Sequence, residues 1–230
     1  MPFPFVALLT AEGRSAQVAE FISDAARFSL RPQVFTFKKN CFKTGSIDSE
    51  ITKSHAEIMK NSLTHGYDYA LIFEDDSRFF DRVTRPDLDY CFEWLERNRG
   101  RWDLFYLGAV HILPPVPVAK GIRWTPAPLL SHSYVISAPF MRKFITFAEH
   151  LDTKHPFWNS VDMWYARTGL RKFSASPQLC YQAEIPRNCP IKWGKTFAPF
   201  QLASDKVLLL WLAIATALLC LVFCRKKNAG

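Results

Sequence analysis

Residues 69–76 read Tyr69-Ala70-Leu71-Ile72-Phe73-Glu74-Asp75-Asp76, five apolar residues running into three carboxylates. A short unbroken apolar run, starting three residues after Gly66, predicts a strand buried on both faces. Such strands belong to mostly parallel sheets covered by helices, and ligands bind beyond their carboxyl ends. In an extended segment, residues two apart share a face. Glu74 and Asp76 are therefore expected to project together and Asp75 oppositely. Carboxylates crowded at a strand end repel one another, and a divalent cation relieves this. Oxygen-only ligands suit Mg²⁺ or Mn²⁺. The competing reading is a solvated acidic turn. The buried strand before the triplet and Phe79-Phe80 after it favour the site.

The sequence around this stretch alternates strand and helix. Phe5–Thr10 reads as a buried strand, Ala16–Phe28 as a helix on its apolar spacing, and Gln33–Phe37 as a strand, with 38–50 irregular. Ser54-His55-Ala56-Glu57 has the pattern of a capping box, predicting a helix that starts there and stops near Gly66. Pro86 opens a helix over Asp87–Asn98, and Asp103–Leu107 reads as a strand. Residues 111–130 hold five prolines and predict a loop with one short strand near Ile122–Thr125. Ser133–Ser137 is a strand, Pro139 opens a helix through Glu149, and Asn159 caps a helix carrying Asp162. Lys172–Ser174 and Gln178–Gln182 read as closing strands. The expected fold is α/β, one Rossmann-like domain over 1–200 with a mostly parallel, mixed sheet. No glycine-rich GxGxxG or P-loop is present, so a phosphate is held another way.

The end of the chain differs from the rest. Of the eighteen residues Val207–Cys224, seventeen are apolar and Thr216 is the exception. As a helix they span about 27 Å, close to a bilayer's hydrocarbon thickness. We read 201–206 as a juxtamembrane linker, 207–224 as one transmembrane helix and 225–230 as a basic tail. The formal charge of +8 then divides: three of 29 Lys+Arg and no Asp or Glu lie beyond residue 206, which leaves +5 on 1–206. This points to membrane placement, with no nucleic-acid partner. Cys220 and Cys224 lie in the apolar run, and the other four cysteines show no CxxC spacing. A zinc site is therefore not expected, while a single Cys180–Cys189 bridge stays open. The N-terminus lacks the basic region of a secretory signal, and no Asn-x-Ser/Thr sequon is present. The domain is expected on the cytosolic side. Arg225–Lys227 favour the opposite topology, with the domain in the endomembrane (ER/Golgi) lumen.

Five blocks in order carry a resemblance. They are Ser54-His55 followed by NSLTHGYDYALIFEDDSRF (61–79), WDLFYLG (102–108), SHSYVIS (131–137), VDMW (161–164) and SPQLCYQ (176–182). Together they resemble glycosyltransferase family 25, the lipopolysaccharide-type and procollagen galactosyltransferase-like enzymes. The resemblance implies a GT-A-like fold, a divalent metal, Mn²⁺ or Mg²⁺, and a UDP-sugar donor. On it, Glu74 and Asp76 match the metal motif, and Ser54, His55, Asp75 and His132 lie on the nucleotide-sugar side. Asp162 matches the general base that takes the proton of an acceptor hydroxyl, an inverting displacement. The N-terminal FVALLTAEGRS departs from the family's usual first strand, although Arg14 falls near an expected arginine.

Read without the family, Asp162 is a favourable charge in a helix's first turn, His132 a hydrogen-bonded strand histidine, and His55 either a phosphate contact at a helix N-terminus or a surface residue. The expected function is transfer of a hexose, galactose or glucose, from a UDP-sugar to a hydroxyl on a glycan, lipid or protein by a membrane-anchored enzyme. Two other functions fit the same residues: a non-catalytic tail-anchored binding protein with a decayed fold, and a metal-dependent phosphohydrolase.

Overall fold

A computed structural model describes residues 5–38, 47–111, 113–151 and 160–183. The expected transmembrane helix, its linker and tail, and the Cys189 half of a bridge lie outside these; the helix carrying Asp162 is capped by Ser160, whose Oγ accepts from the Met163 amide at 3.3 Å, and not by Asn159. Among the described residues, no helix is long and apolar enough to cross a membrane.

The chain runs β1 (Phe5–Ala11), α1 (Ser15–Ala26), β2 (Gln33–Phe37), α2 (Ile47–Thr64), β3 (Tyr69–Glu74), β4 (Ser77–Phe79), α3 (Arg85–Arg97) and β5 (Leu104–Tyr106). It continues through β6 (Val110–His111), β7 (Val116–Ala119), β8 (Ile122–Trp124), β9 (Pro128–Leu129), β10 (Ser133–Ser137), α4 (Ala138–Glu149), α5 (Val161–Arg167), β11 (Lys172–Ala175) and β12 (Cys180–Gln182). Eight strands form one sheet in the order β2-β1-β3-β10-β5-β11-β8-β7. β10 and β8 run against the other six. This is a mixed α/β domain with a mostly parallel, Rossmann-like sheet.

Side-chain alternation explains the layers. Leu71 and Phe73 of β3 face one core with Val6, Leu8 and Phe105, covered by Phe21 and Ala25 of α1 and Leu88, Phe92 and Leu95 of α3. Ala70 and Ile72 face the other core with Ala7, Leu9 and Tyr134, covered by Ile58 and Met59 of α2, Phe140 and Phe144 of α4, and Trp164 and Tyr165 of α5. Burial on both faces is why 69–73 has no polar residue.

Two elements differ from expectation. The helix expected to start at Ser54 starts at Ile47. Ser54 is not a cap; its hydroxyl donates back to the Glu50 carbonyl at 2.7 Å, one turn earlier. Apolar spacing outweighs the capping pattern here, because Ile51, Ile58 and Met59 make one stripe and His55 stands in its middle. The loop over 111–130 contains β7, β8 and the small β6–β9 pair, with prolines on short edge strands where a missing N–H costs little.

A close crossing sets the geometry at the carboxyl end of β5. The amides of Leu179 and Cys180 donate to the Leu107 carbonyl at 2.7 and 3.1 Å. A Cβ on Gly108 would stand 2.1 Å from the Cys180 carbonyl oxygen, so only glycine fits. The crossing brings β12 alongside β4, with Gln182 opposite Ser77.

Candidate active site

β1 and β3 end side by side, and β10, running the other way, begins beside them. The Glu74 amide donates to the His132 carbonyl at 2.8 Å, and the Asp75 amide to the Leu9 carbonyl at 3.0 Å. Extended backbone stops at Glu74, and Asp75-Asp76 make the turn into β4. The strict alternation expected through Asp76 therefore ends one residue early, and each carboxylate turns toward a different element.

Asp75 faces β1. Thr10 Oγ1 donates to Asp75 Oδ2, and Arg14 Nε donates to the same oxygen at 2.8 Å. This anchors the turn. Asp76 faces β12, where Gln182 Nε2 donates to its Oδ2 at 2.8 Å. Its Oδ1 is buried without a hydrogen-bond partner. Glu74 faces α2, with His55 Nε2 3.3 Å from its Oε1. Burial, then Asp162 and Asp75, push Glu74 up to about 8. Burial, then Glu74, push Asp76 up to about 8 as well. A site that raises two carboxylates this far disfavours their charge until a cation joins them.

Asp162, in the first turn of α5, accepts at Oδ1 from the Ser131 amide at 2.7 Å and from the Ser131 hydroxyl. It faces the same acidic region, since its charge contributes to the shifts at Glu74 and His55. The charge of Asp162 also raises Asp48, after burial, so Asp48 stands on this side of α2 too.

The site residues expected from the sequence thus separate. Glu74, Asp75, Asp76 and Asp162 gather at one end of the sheet. His55 is wholly buried behind Glu74 in mid-helix, so it is not a phosphate contact at a helix N-terminus. Burial pulls it down to about 4, a neutral ring. Ser54 bonds only its own helix in the contacts described. His132 is buried, and burial pulls it down to about 3. Its ring lies against the crossing, with Nε2 2.9 Å from where a Gly108 Cβ would stand. Sequence reasoning passed over Ser131, Gln182, Thr10 and Asp48. Ser131 and Gln182 lay within quoted blocks, but no spacing marks a hydrogen-bond partner across 31 or 106 residues.

Among the described residues, no group of three or more His, Cys, Asp or Glu side chains stands ready to hold a metal. The two carboxylates nonetheless fit Mg²⁺ or Mn²⁺, which take one or two protein carboxylates and complete their shell with phosphate oxygens and water. The unpartnered Asp76 Oδ1 supplies the observation for that fit.

No family model matches the sequence, and no curated protein matches it. The family drawn from the motifs stays a resemblance. Several solved structures are similar. A glycosyltransferase involved in the glycosylation of the major capsid of PBCV-1 is 8% identical over 69% of this chain and 71% of its own, with TM-score 0.43. A197 from STIV is 9% identical over 80% and 99%, with TM-score 0.42. A mannose-1-phosphate geranyltransferase from Thermus thermophilus is 9% identical over 74% and 73%, with TM-score 0.43. Likeness at these scores carries no argument about chemistry, which rests on the residues.

Proposed function

We propose that the chain is a metal-dependent, GT-A-like glycosyltransferase that moves a hexose, galactose or glucose, from a UDP-sugar to a hydroxyl on a glycan, lipid or protein. The observation that carries this reading is the pair Glu74 and Asp76, held near neutrality at the carboxyl end of β3, with an Asp76 oxygen left unpartnered. In this reading Glu74 and Asp76 hold Mn²⁺ or Mg²⁺, which neutralises charge on the departing diphosphate. Asp75 braces the turn through Arg14 and Thr10. Asp162, fixed by Ser131, takes the proton of the acceptor hydroxyl as that oxygen attacks the anomeric carbon. A single displacement of this kind inverts the anomeric configuration. Residues 207–224 anchor the enzyme in a bilayer as one helix, with the domain on the cytosolic side or, by the positive-inside rule, in the endomembrane lumen.

The test is UDP release by the full chain with Mn²⁺ across a panel of UDP-sugars. Activity that survives Glu74→Ala and Asp76→Ala removes the metal assignment. Phosphate release from a simple ester without sugar transfer favours a phosphohydrolase, and absence of both UDP and Mn²⁺ binding favours a non-catalytic protein. Protease protection on sealed membranes decides the topology.

A further inference from the structure

Behind Glu74 a line of buried polar groups runs through the layer of α2, α4 and α5. His55, Tyr134 and Tyr165 are all fully buried. The Tyr165 hydroxyl donates to the Tyr134 oxygen at 3.1 Å. Tyr134 OH lies 2.8 Å from His55 Nδ1, and His55 Nε2 lies 3.3 Å from Glu74 Oε1. We propose that His55, held by Tyr134 and Tyr165, is a positioning residue that presents an N–H to Glu74 Oε1 and so leaves Oε2 free for the site. The inference rests on the reading of Glu74 as a ligand in the proposed function.

Proton counting gives the direction. A hydroxyl has one proton to donate. Tyr134 receives Tyr165's proton at its oxygen, so its own goes to His55 Nδ1. With Nδ1 accepting, a neutral imidazole carries its hydrogen on Nε2, toward Glu74. With Glu74 ionised, as a metal ligand is, the reverse order sets a bare Nε2 lone pair against a carboxylate oxygen, which is repulsive. The line therefore runs one way, from Tyr165 to Tyr134 to His55 to Glu74, and each donor polarises the next.

A purely structural role accounts for this line poorly. Buried hydroxyls and an imidazole gain little over phenylalanine and leucine of similar volume, and cost when any partner is missing. The line also does not close on backbone groups, as buried polar side chains commonly do. It ends on the one carboxylate of the triplet whose side chain is a quarter exposed, at 25%. Oriented outer partners of this kind hold a ligating carboxylate in place, and their loss commonly weakens metal binding 10–100-fold.

The test uses the full chain in detergent, with free Mn²⁺ read by electron paramagnetic resonance, with and without UDP. His55→Phe and Tyr134→Phe keep ring packing and remove the hydrogen bonds, while His55→Gln returns an N–H near the Nε2 position. We expect roughly 10-fold weaker Mn²⁺ binding in the two Phe variants and recovery in His55→Gln. The Mn²⁺ requirement for UDP release rises in parallel, with kcat at saturating Mn²⁺ changed less. Native Mn²⁺ affinity in both folded Phe variants overturns the proposal. The His55 tautomer, read by ¹⁵N chemical shifts at a pH high enough to ionise Glu74 without metal, gives an answer free of metal and folding of variants: a native ring protonated at Nδ1 overturns it too. A native chain that binds no Mn²⁺ with UDP, yet shows the Nε2–H tautomer, removes the metal reading and keeps the orientation of Glu74.

Discussion

Asp76→Asn, without divalent metal, gives the sharpest measure of the charge stored at the end of β3. In the folded chain Asp76 and Glu74 lie near 8, against ordinary values of 3.8 and 4.5. The folded state therefore keeps protons that the unfolded chain has lost, and stability falls as pH rises from about 4 through about 8. One pH unit per retained proton is worth about 1.4 kcal/mol. Between pH 6.5 and 8 this gives a loss of roughly 2 kcal/mol for one retained proton. The two carboxylates repel each other and titrate as a pair, so their losses share rather than double. His55, His111 and His132, with values pulled down by burial, act oppositely; their unfolded imidazoles are still half protonated at pH 6.5, so together they offset about 1 kcal/mol of this fall and leave the net slope negative. Asn keeps an oxygen to accept from Gln182 and removes the charge. The variant is expected to exceed the native chain at pH 8 in EDTA by about 1–2 kcal/mol and to lose part of the slope, the rest staying with Glu74, whose raised value comes from burial, Asp162 and Asp75. Urea unfolding at pH 6.5, 7.2 and 8.0 measures this, and saturating Mn²⁺ should flatten the native slope but leave the variant unchanged. A native stability that stays level or rises over this window in EDTA, or a variant with the same slope, refutes the reasoning.

Three further outcomes follow. Gly108→Ala places a Cβ against the Cys180 carbonyl and forces the β12 crossing apart, so it should cost about 2–4 kcal/mol in urea unfolding. Asp162→Asn should lower UDP-sugar turnover by 10²-fold or more with little change in UDP binding by calorimetry, and Ser131→Ala, which loosens Asp162, should fall between it and the native chain. Lys172 sends its ammonium to the carbonyls of Tyr165, Ala166 and Thr168 at the end of α5. Lys172→Met should therefore cost about 1–3 kcal/mol and speed hydrogen exchange in the last turn of α5, near Asp162.

The parts legible in the sequence are those with a period. The run 69–73, the strand Ser133–Ser137, and the helices beginning near Ser15 and Pro139 all declare themselves by burial pattern, because one or both faces must be apolar to pack. Asp75 and Asp76 mark the carboxyl end of the 69–73 strand, the edge at which ligands bind in sheets of this kind. The segment 54–57 misled because a serine followed by glutamate three residues on is also compatible with mid-helix. Only the stripe through Ile51, His55 and Ile58 distinguishes the two, and a histidine within it does not look like a core residue until Tyr134 supplies its partner. The short strands of 110–129 are held by cross-strand pairing and carry too few residues for a period. Gln182 and Ser131 act through contacts between distant segments, a property of the fold.

The reversed strand β10 has a consequence for how the chain comes off the ribosome. β3 pairs with β1 on one side as soon as both exist, but its other edge, Tyr69–Phe73, is claimed only by Ser133–Ser137. Roughly 60 residues of synthesis separate the two, or about 3–12 s at ordinary elongation rates. Through that interval a strand buried on both faces presents a bare edge, an invitation to pairing with another nascent chain. The hydrogen bonds from Glu74 and Leu107 to the start of β10, and with them the whole acidic edge, form last among the central strands. Slow or paused translation between residues 75 and 132 should lengthen that exposure and make chaperone capture of nascent chains the step that decides yield.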